Sequence, residues 1–418
     1  MPPIQPWFRP IFLTLVGLWF QASVHSADVE PLTPFGWYDL PIAKDLVCDP
    51  GNLAAVKEME SPIQVMRETN DVFKIENHFP VSDAEDCKFS WQLRNFSAPG
   101  ATNAPFTVLR EGVLESPSIP PGGTGELEIT AARSRNADAL ALRVDDPDGR
   151  ELWTWIWPLR RGDFYRLEEE PAEHHALPTE TNGVITITAG ELIATFSETT
   201  GRLLGVQRGS QNFPLANGPR LVAGGGTLRR IHFDDDGPDA FVSTKFDGDL
   251  KSIFWRVNGN GWINCDYTYL AEGTNDALGV LFDYPDERIR HLRWLGDGPS
   301  RVRNNRLRGV TLGVWEEPDT PAAHGPDDGV APPSAGCLAG IRWLELDTAD
   351  GPVTILNNQV VPYVLVAPGS RSGLGFLDTL PSFDENFKDA PAKTPSGQSD
   401  VFPGERSGSL SFYFGKLP

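Results

Sequence analysis

Apolar residues recur along this chain at every second position, in short runs broken by glycine, proline, asparagine and aspartate. Leu140 to Val144 and Ile185 to Thr188 are such runs, and a period of two is that of a strand with one face buried. No stretch beyond the N-terminus sustains apolar residues at i, i+3, i+4 and i+7, the spacing of an amphipathic helix. Forty-one glycines and thirty-seven prolines in 418 residues exceed the roughly 12% of average usage and work against long helices. The pattern predicts an all-β protein.

The alternating runs fall into two groups. Gln64 to Met66, Phe73 to Ile75, Phe89 to Leu93, Gly125 to Ile129, Leu140 to Val144 and Leu152 to Trp157 are short strand candidates at sandwich-like spacing, within a first domain spanning 27–167. Asp145-Asp146-Pro147-Asp148-Gly149 is a hairpin connector between two of them. Trp153, Trp155 and Trp157 alternate onto one face, which fits an intersheet core or a sugar-stacking platform. The acidic segment 168–182, EEEPAEHHALPTETN, has no period and is expected to be a linker or an extended crossing segment, with His174 and His175 solvated. A second all-β domain then runs from 183 to 418.

In that second domain, Leu292 to Trp315 reads LRWLGDGPSRVRNNRLRGVTLGVW. Its hydrophobic ends alternate like strands, and its middle, with two glycines, a proline and four arginines, is expected to be a loop. Two roles fit a basic loop in an acidic chain. It is pinned by carboxylates from neighbouring strands, or it grips a sugar or a partner through Trp294, Asp297, Arg301, Asn304 and Arg306.

RWLGDGPSRVRNNRLRG resembles the signature of the last domain, the small-chain domain, of family 2 glycoside hydrolases of the β-galactosidase type. FSETTGRLLGVQRGSQNFPLANGPRLV (Phe196 to Val222), SIFWRVNGNGWINCDYTY, LGVLFDYPDERIRHLRWLG and GIRWLELDTADGPVTI follow that domain's order. SPIQVMRETNDVFKIENHF, CKFSWQLRNF and DALALRVDDPDGRELWTWIWPL resemble the sandwich domain that precedes it, so the likeness covers roughly residues 60–418. It implies an Ig-like β-sandwich followed by a galactose-mutarotase-like supersandwich. It also implies a role as the carbohydrate-binding, accessory portion or small subunit of a β-galactosidase-type enzyme, with a β-galactoside or related β-glycoside as ligand. The catalytic glutamates of that family sit on a (β/α)₈ barrel of about 250 residues, for which this chain has no room. No catalytic residue is therefore assigned, and a barrel-bearing subunit is the implied partner. The family's late active-site tryptophan has no counterpart: no tryptophan follows Trp343, and the late loops carry Phe383, Phe387 and Phe402 instead. Alternatives are a stand-alone carbohydrate-binding module and a mutarotase-like aldose epimerase, the latter requiring an acid and a base such as Glu287 and His291.

The remaining features narrow the function classes. Arg9, the apolar run Ile11 to Phe20 and the small residues before Ala27 are expected to be a cleaved secretory signal over 1–26, giving a secreted or periplasmic protein. A formal charge of −21 argues against nucleic acid and anionic membrane as partners. Cys48, Cys87, Cys265 and Cys337 show no zinc-ligand spacing, and in an exported chain Cys48–Cys87 and Cys265–Cys337 are the simplest disulfides. Free buried thiols are the alternative. Ala223 to Thr227 lacks the lysine of a phosphate loop, and Asp234-Asp235-Asp236-Gly237 lacks calcium-hand spacing, so no metal and no cofactor is assigned.

Overall fold

The structure is a computed structural model that describes residues 50–160, 167–271, 277–302, 307–317, 336–358, 362–366, 373–381 and 404–418. The expected signal segment 1–26 and the late-loop residues Phe383, Phe387 and Phe402 lie outside the described residues. The described chain is all-β apart from one short helix, α1 (Pro50–Met59), and isolated helical turns. No helix among the described residues is long and apolar enough to cross a membrane.

The N-terminal part is a sandwich of two antiparallel sheets. Strands β1 (Ile63–Arg67), β2 (Val72–Asn77) and β5 (Thr124–Glu128) form one. The other has the order β4-β3-β6-β7, from β3 (Lys88–Phe96), β4 (Phe106–Val113), β6 (Ala139–Asp145) and β7 (Glu151–Pro158). The expected connector makes the β6–β7 hairpin, closed by Asp146 N–H to Arg150 O at 2.8 Å and Gly149 N–H to Asp146 O at 2.9 Å. The ring of Trp157, paired with Leu140 across the ladder, meets Phe73 of the facing sheet at 4.7 Å. Alternation therefore turns Leu140, Leu142 and Val144 inward with the β7 tryptophans, which belong to an intersheet core. The other face of β6 carries Ala139 and Ala141, both also buried. Small side chains there let a second layer approach closely.

That layer belongs to the larger part of the molecule, itself built from two packed sheets. A five-stranded sheet, ordered β12-β11-β10-β9-β8, comprises β8 (Leu177–Thr181), β9 (Val184–Ala189), β10 (Leu192–Ser197), β11 (Leu203–Arg208) and β12 (Gln211–Phe213). It packs on a thirteen-stranded sheet made of β13 (Ala216–Leu221), β14 (Gly226–Asp236), β15 (Asp239–Gly248), β16 (Leu250–Val257), β17 (Trp262–Ala271), β18 (Gly279–Asp283), β19 (Ile289–Val302), β20 (Thr311–Glu317), β21 (Cys337–Thr348), β22 (Gly351–Asn357), β23 (Tyr363–Val366), β24 (Leu374–Leu377) and β25 (Gly404–Phe414). Ile185, Ile187 and Phe196 of the small sheet share one core with Trp255, Phe282, Trp294, Phe376 and Phe412 of the large one. Strict alternation of buried and less buried positions along β10 shows why a period of two finds such strands. A separate apolar cluster, in which Ala139 meets Trp262, Leu295, Leu312, Trp343 and Tyr413, joins the sandwich to the large sheet.

Three expectations are decided by the packing. The stretch expected to be a loop lies inside β19 from Gly296 to Val302, and only 303–306 of its arginine-rich remainder falls outside the described residues. The acidic segment is a docked crossing and not a free linker: Asn260 Nδ2 donates to the carbonyls of Glu168 and Glu170 at 2.9 and 2.8 Å, and Leu177–Thr181 is strand β8, paired with β9. His174 and His175 in it are exposed. Finally, Cys87, Cys265 and Cys337 are free and buried, and Cys48 lies outside the described residues. The order β21-β22-β25-β17 puts three strand spacings, about 14 Å, between the strands of Cys337 and Cys265, where a disulfide needs Cα atoms about 6 Å apart. Burial pushes the thiols of Cys87 and Cys337 up to about 12 and raises that of Cys265 well above its ordinary value, which leaves them unreactive.

Candidate functional site

The β19–β20 hairpin shows what its unusual sequence is for. Trp294 and Trp315 are directly opposite in the ladder, followed by Gly296 opposite Gly313 and Gly298 opposite Thr311. Trp294 is fully buried. Trp315 is half-buried and lies across the glycines: its indole N–H donates to Gly296 O at 3.2 Å and Thr311 O at 3.1 Å, a Cβ at Gly313 would meet the ring at 3.1 Å, and one at Gly298 would collide with it. The glycines thus seat a ring rather than turn the chain. Pro299 sits where pairing with β20 has ended and the β21 ladder is interrupted, between Asp297 and Val302, so neither neighbour needs an N–H from it.

The residues expected to contact a sugar or partner are placed as follows. Trp294 is a core residue, its N–H donating to Asp297 O at 3.4 Å. Asp297 is half-buried, and burial raises its carboxyl pKa against the opposing charge of Arg342. Arg301 is 4% exposed; its Nε and Nη2 donate to Glu317 Oε2 at 3.1 and 3.0 Å, and its Nη1 to the carbonyl of Val366 at 2.5 Å. Arg308 donates to Glu58 Oε1 of α1 at 3.1 Å. Asn304 and Arg306 lie outside the described residues. Trp294 and Arg301 therefore hold the fold and face no solvent-filled space.

The open space lies next to them. A cleft of about 670 Å³ runs between the outer face of the β4-β3-β6-β7 sheet and β20, lined among others by Gln92, Arg94, Phe106, Glu111, Glu151 and Trp315. This volume falls in the range of small-molecule sites, about 300–1,000 Å³. Ala139 and Ile156 pack the sheet onto the large body beside it.

Its polar groups form a chain. Arg94 donates from Nε and Nη2 to Gln92 Oε1 at 3.0 and 2.7 Å, and Gln92 Nε2 donates to Glu111 Oε2 at 3.0 Å. Since arginine only donates and a carboxylate only accepts, the amide orientation of Gln92 is fixed by its neighbours. The Arg94 guanidinium lies over the Phe106 ring at 4.2 Å. Burial lowers its pKa, with Glu151 opposing. Thr154 donates to Glu151 Oε1 at 2.8 Å, and Arg143 approaches Glu151 Oε2 at 3.5 Å. Aromatic surface beside oriented donors and acceptors can stack a sugar ring and bind its hydroxyls. No group of three or more His, Cys, Asp or Glu that could hold a metal occurs among the described residues.

No family model matches the chain, and neither does any curated protein. Solved structures do. A Salmonella typhimurium protein, YeaD, assigned as a mutarotase, is 11% identical over 60% of this chain and 99% of its own, with a TM-score of 0.28. An alpha-mannosidase from Enterococcus faecalis V583 is 9% identical over 85% of this chain and 42% of its own, with a TM-score of 0.30. Neither score is high enough to carry an argument about function, so the site rests on its own residues. Glu287 is exposed, His291 is half-buried, and neither lines the cleft.

Gln92, Arg94 and Glu111 belong to no motif. Their signal is present in β3, where Ser90, Gln92 and Arg94 alternate with Phe89, Trp91 and Leu93. It marks a polar outer face, but nothing local says that β20 stands opposite it.

Proposed function

We propose that this chain is an exported carbohydrate-binding portion or small subunit of a β-galactosidase-type glycoside hydrolase, without a catalytic barrel of its own, and that its sugar contact is the cleft beside Trp315. The observation that carries the reading is the lining of that cleft. An aromatic ring seated on glycines stands next to the hydrogen-bonded chain of Arg94, Gln92 and Glu111, the combination of apolar surface and oriented polar groups that distinguishes a sugar from an apolar ligand. The resemblance of the sequence to the family supports the choice of β-glycosides.

Titration calorimetry of the whole chain with β-linked oligosaccharides tests this. Binding is expected in the wild type and is expected to be lost in Trp315→Ala, with no hydrolysis of an activated β-galactoside by either. Failure of every β-glycan to bind sinks the reading, and so does binding that Trp315→Ala leaves intact. Hydrolysis by the isolated chain would overturn the accessory role.

A further inference from the structure

Many of the described arginines in this acidic chain meet a carboxylate, and others do not. Arg143 meets Asp145 at 2.6 Å, Arg293 meets Glu345 at 2.7 Å, and Arg301 meets Glu317 at 3.0 Å. Arg94 differs. Its protein acceptor is the neutral Gln92 Oε1, its guanidinium rests on Phe106, and among the described residues no carboxylate stands within ion-pair distance of it. Glu151 acts on it only through space, and a guanidinium partly withdrawn from water without a direct ion pair is unfavourable. Gln92 occupies the edge formed by Nε and Nη2, which leaves Nη1 to donate elsewhere.

That arrangement suits an acceptor from outside. A guanidinium held in place on a ring offers parallel N–H groups that match a carboxylate. Glu111 and Glu151 also line the cleft and would repel a doubly charged phosphate more than a singly charged carboxylate. Glu151 is already partly neutralised by Arg143, and both glutamates can accept hydrogen bonds from sugar hydroxyls.

We propose that the cleft binds a carbohydrate bearing a carboxylate, a uronic acid residue, whose carboxylate accepts hydrogen bonds from Arg94. The proposal rests on the reading of the cleft as a sugar site and names the class of sugar.

The test uses a uronic-acid-containing β-linked oligosaccharide and the same oligosaccharide with its carboxyl groups reduced to primary alcohols. Calorimetry on the whole chain should show the acidic form binding about tenfold or more tightly, as expected for a charge-assisted pair. Arg94→Gln should remove that preference, so that the variant binds the acidic and the reduced form equally. Arg94→Lys, which keeps the charge without the fork, should restore part of it and carries the test if Arg94→Gln does not fold. Equal affinity of the wild type for both forms overturns the proposal and leaves the sugar reading standing. A preference that survives Arg94→Gln also overturns it, as does failure of both forms to bind, and the sugar reading falls with it only if the other β-glycans fail to bind as well.

Discussion

Arg301 is buried and Arg94 half-buried, and the two are held in opposite ways. Arg301, at the end of β19, gives its N–H groups to a carboxylate and to backbone carbonyls. Arg94, on β3, has a neutral amide and an aromatic face. The same contrast separates the two tryptophans of the β19–β20 hairpin, one sealed in the core and one at the cleft. A satisfied buried group reports on the fold. A group held by neutral partners at the edge of a cleft is free to meet a ligand.

Substitutions should sharpen that contrast. Trp294→Ala and Arg301→Met are expected to cost about 3–5 kcal/mol each, the first through a cavity and the second by stranding Glu317. Arg94→Gln should cost less than about 1 kcal/mol, because it removes one amide contact and a guanidinium that makes no direct ion pair. Urea denaturation measures all three, and equal losses for Arg301 and Arg94 would erase the distinction. Next in size is Gly298→Ala, expected to cost about 1–3 kcal/mol by overpacking against Trp315. Gly225→Ala, where a Cβ meets nothing within 4 Å, is the control, and similar losses at both would mean that Trp315 is not seated on the glycine.

The smallest effect is expected at Glu168, where the chain crosses to the large sheet. Burial raises its pKa against hydrogen bonds from Ser411, Asn358 and Asn264, with Asp266 adding to the rise. Its Oε1 and Asn264 Oδ1 are both buried acceptors without a donor. A folded pKa above the unfolded value means that this group's contribution is fully present below the unfolded pKa and is lost as pH rises through the folded one. Glu168→Gln keeps the neutral, donating form at every pH. Its melting temperature relative to wild type should therefore improve between about pH 4 and neutrality, and a constant gap would refute the sign.

The all-β class and most strands of the N-terminal sandwich were legible because a half-buried strand writes its period of two directly into the sequence, as β2 does. That a carboxylate from a neighbouring strand pins Arg301 was legible too, as one of two alternatives. The conformation of the stretch was not. Gly296, Gly298 and Pro299 carry the local signals of a turn, yet the chain there is a strand whose glycines make room for a ring.

By itself, then, the sequence determined which residues alternate, where basic charge gathers and that the chain is built of strands, since these follow from local periodicity and composition. Only the tertiary structure decided that Cys265 and Cys337 stand strands apart, that Glu168 is docked and that Arg94 and Trp315 line one cleft. Each depends on residues far apart in the chain brought together by the packing of sheets. Pairing order and sheet stacking are settled by the whole buried surface, and no window of sequence contains it.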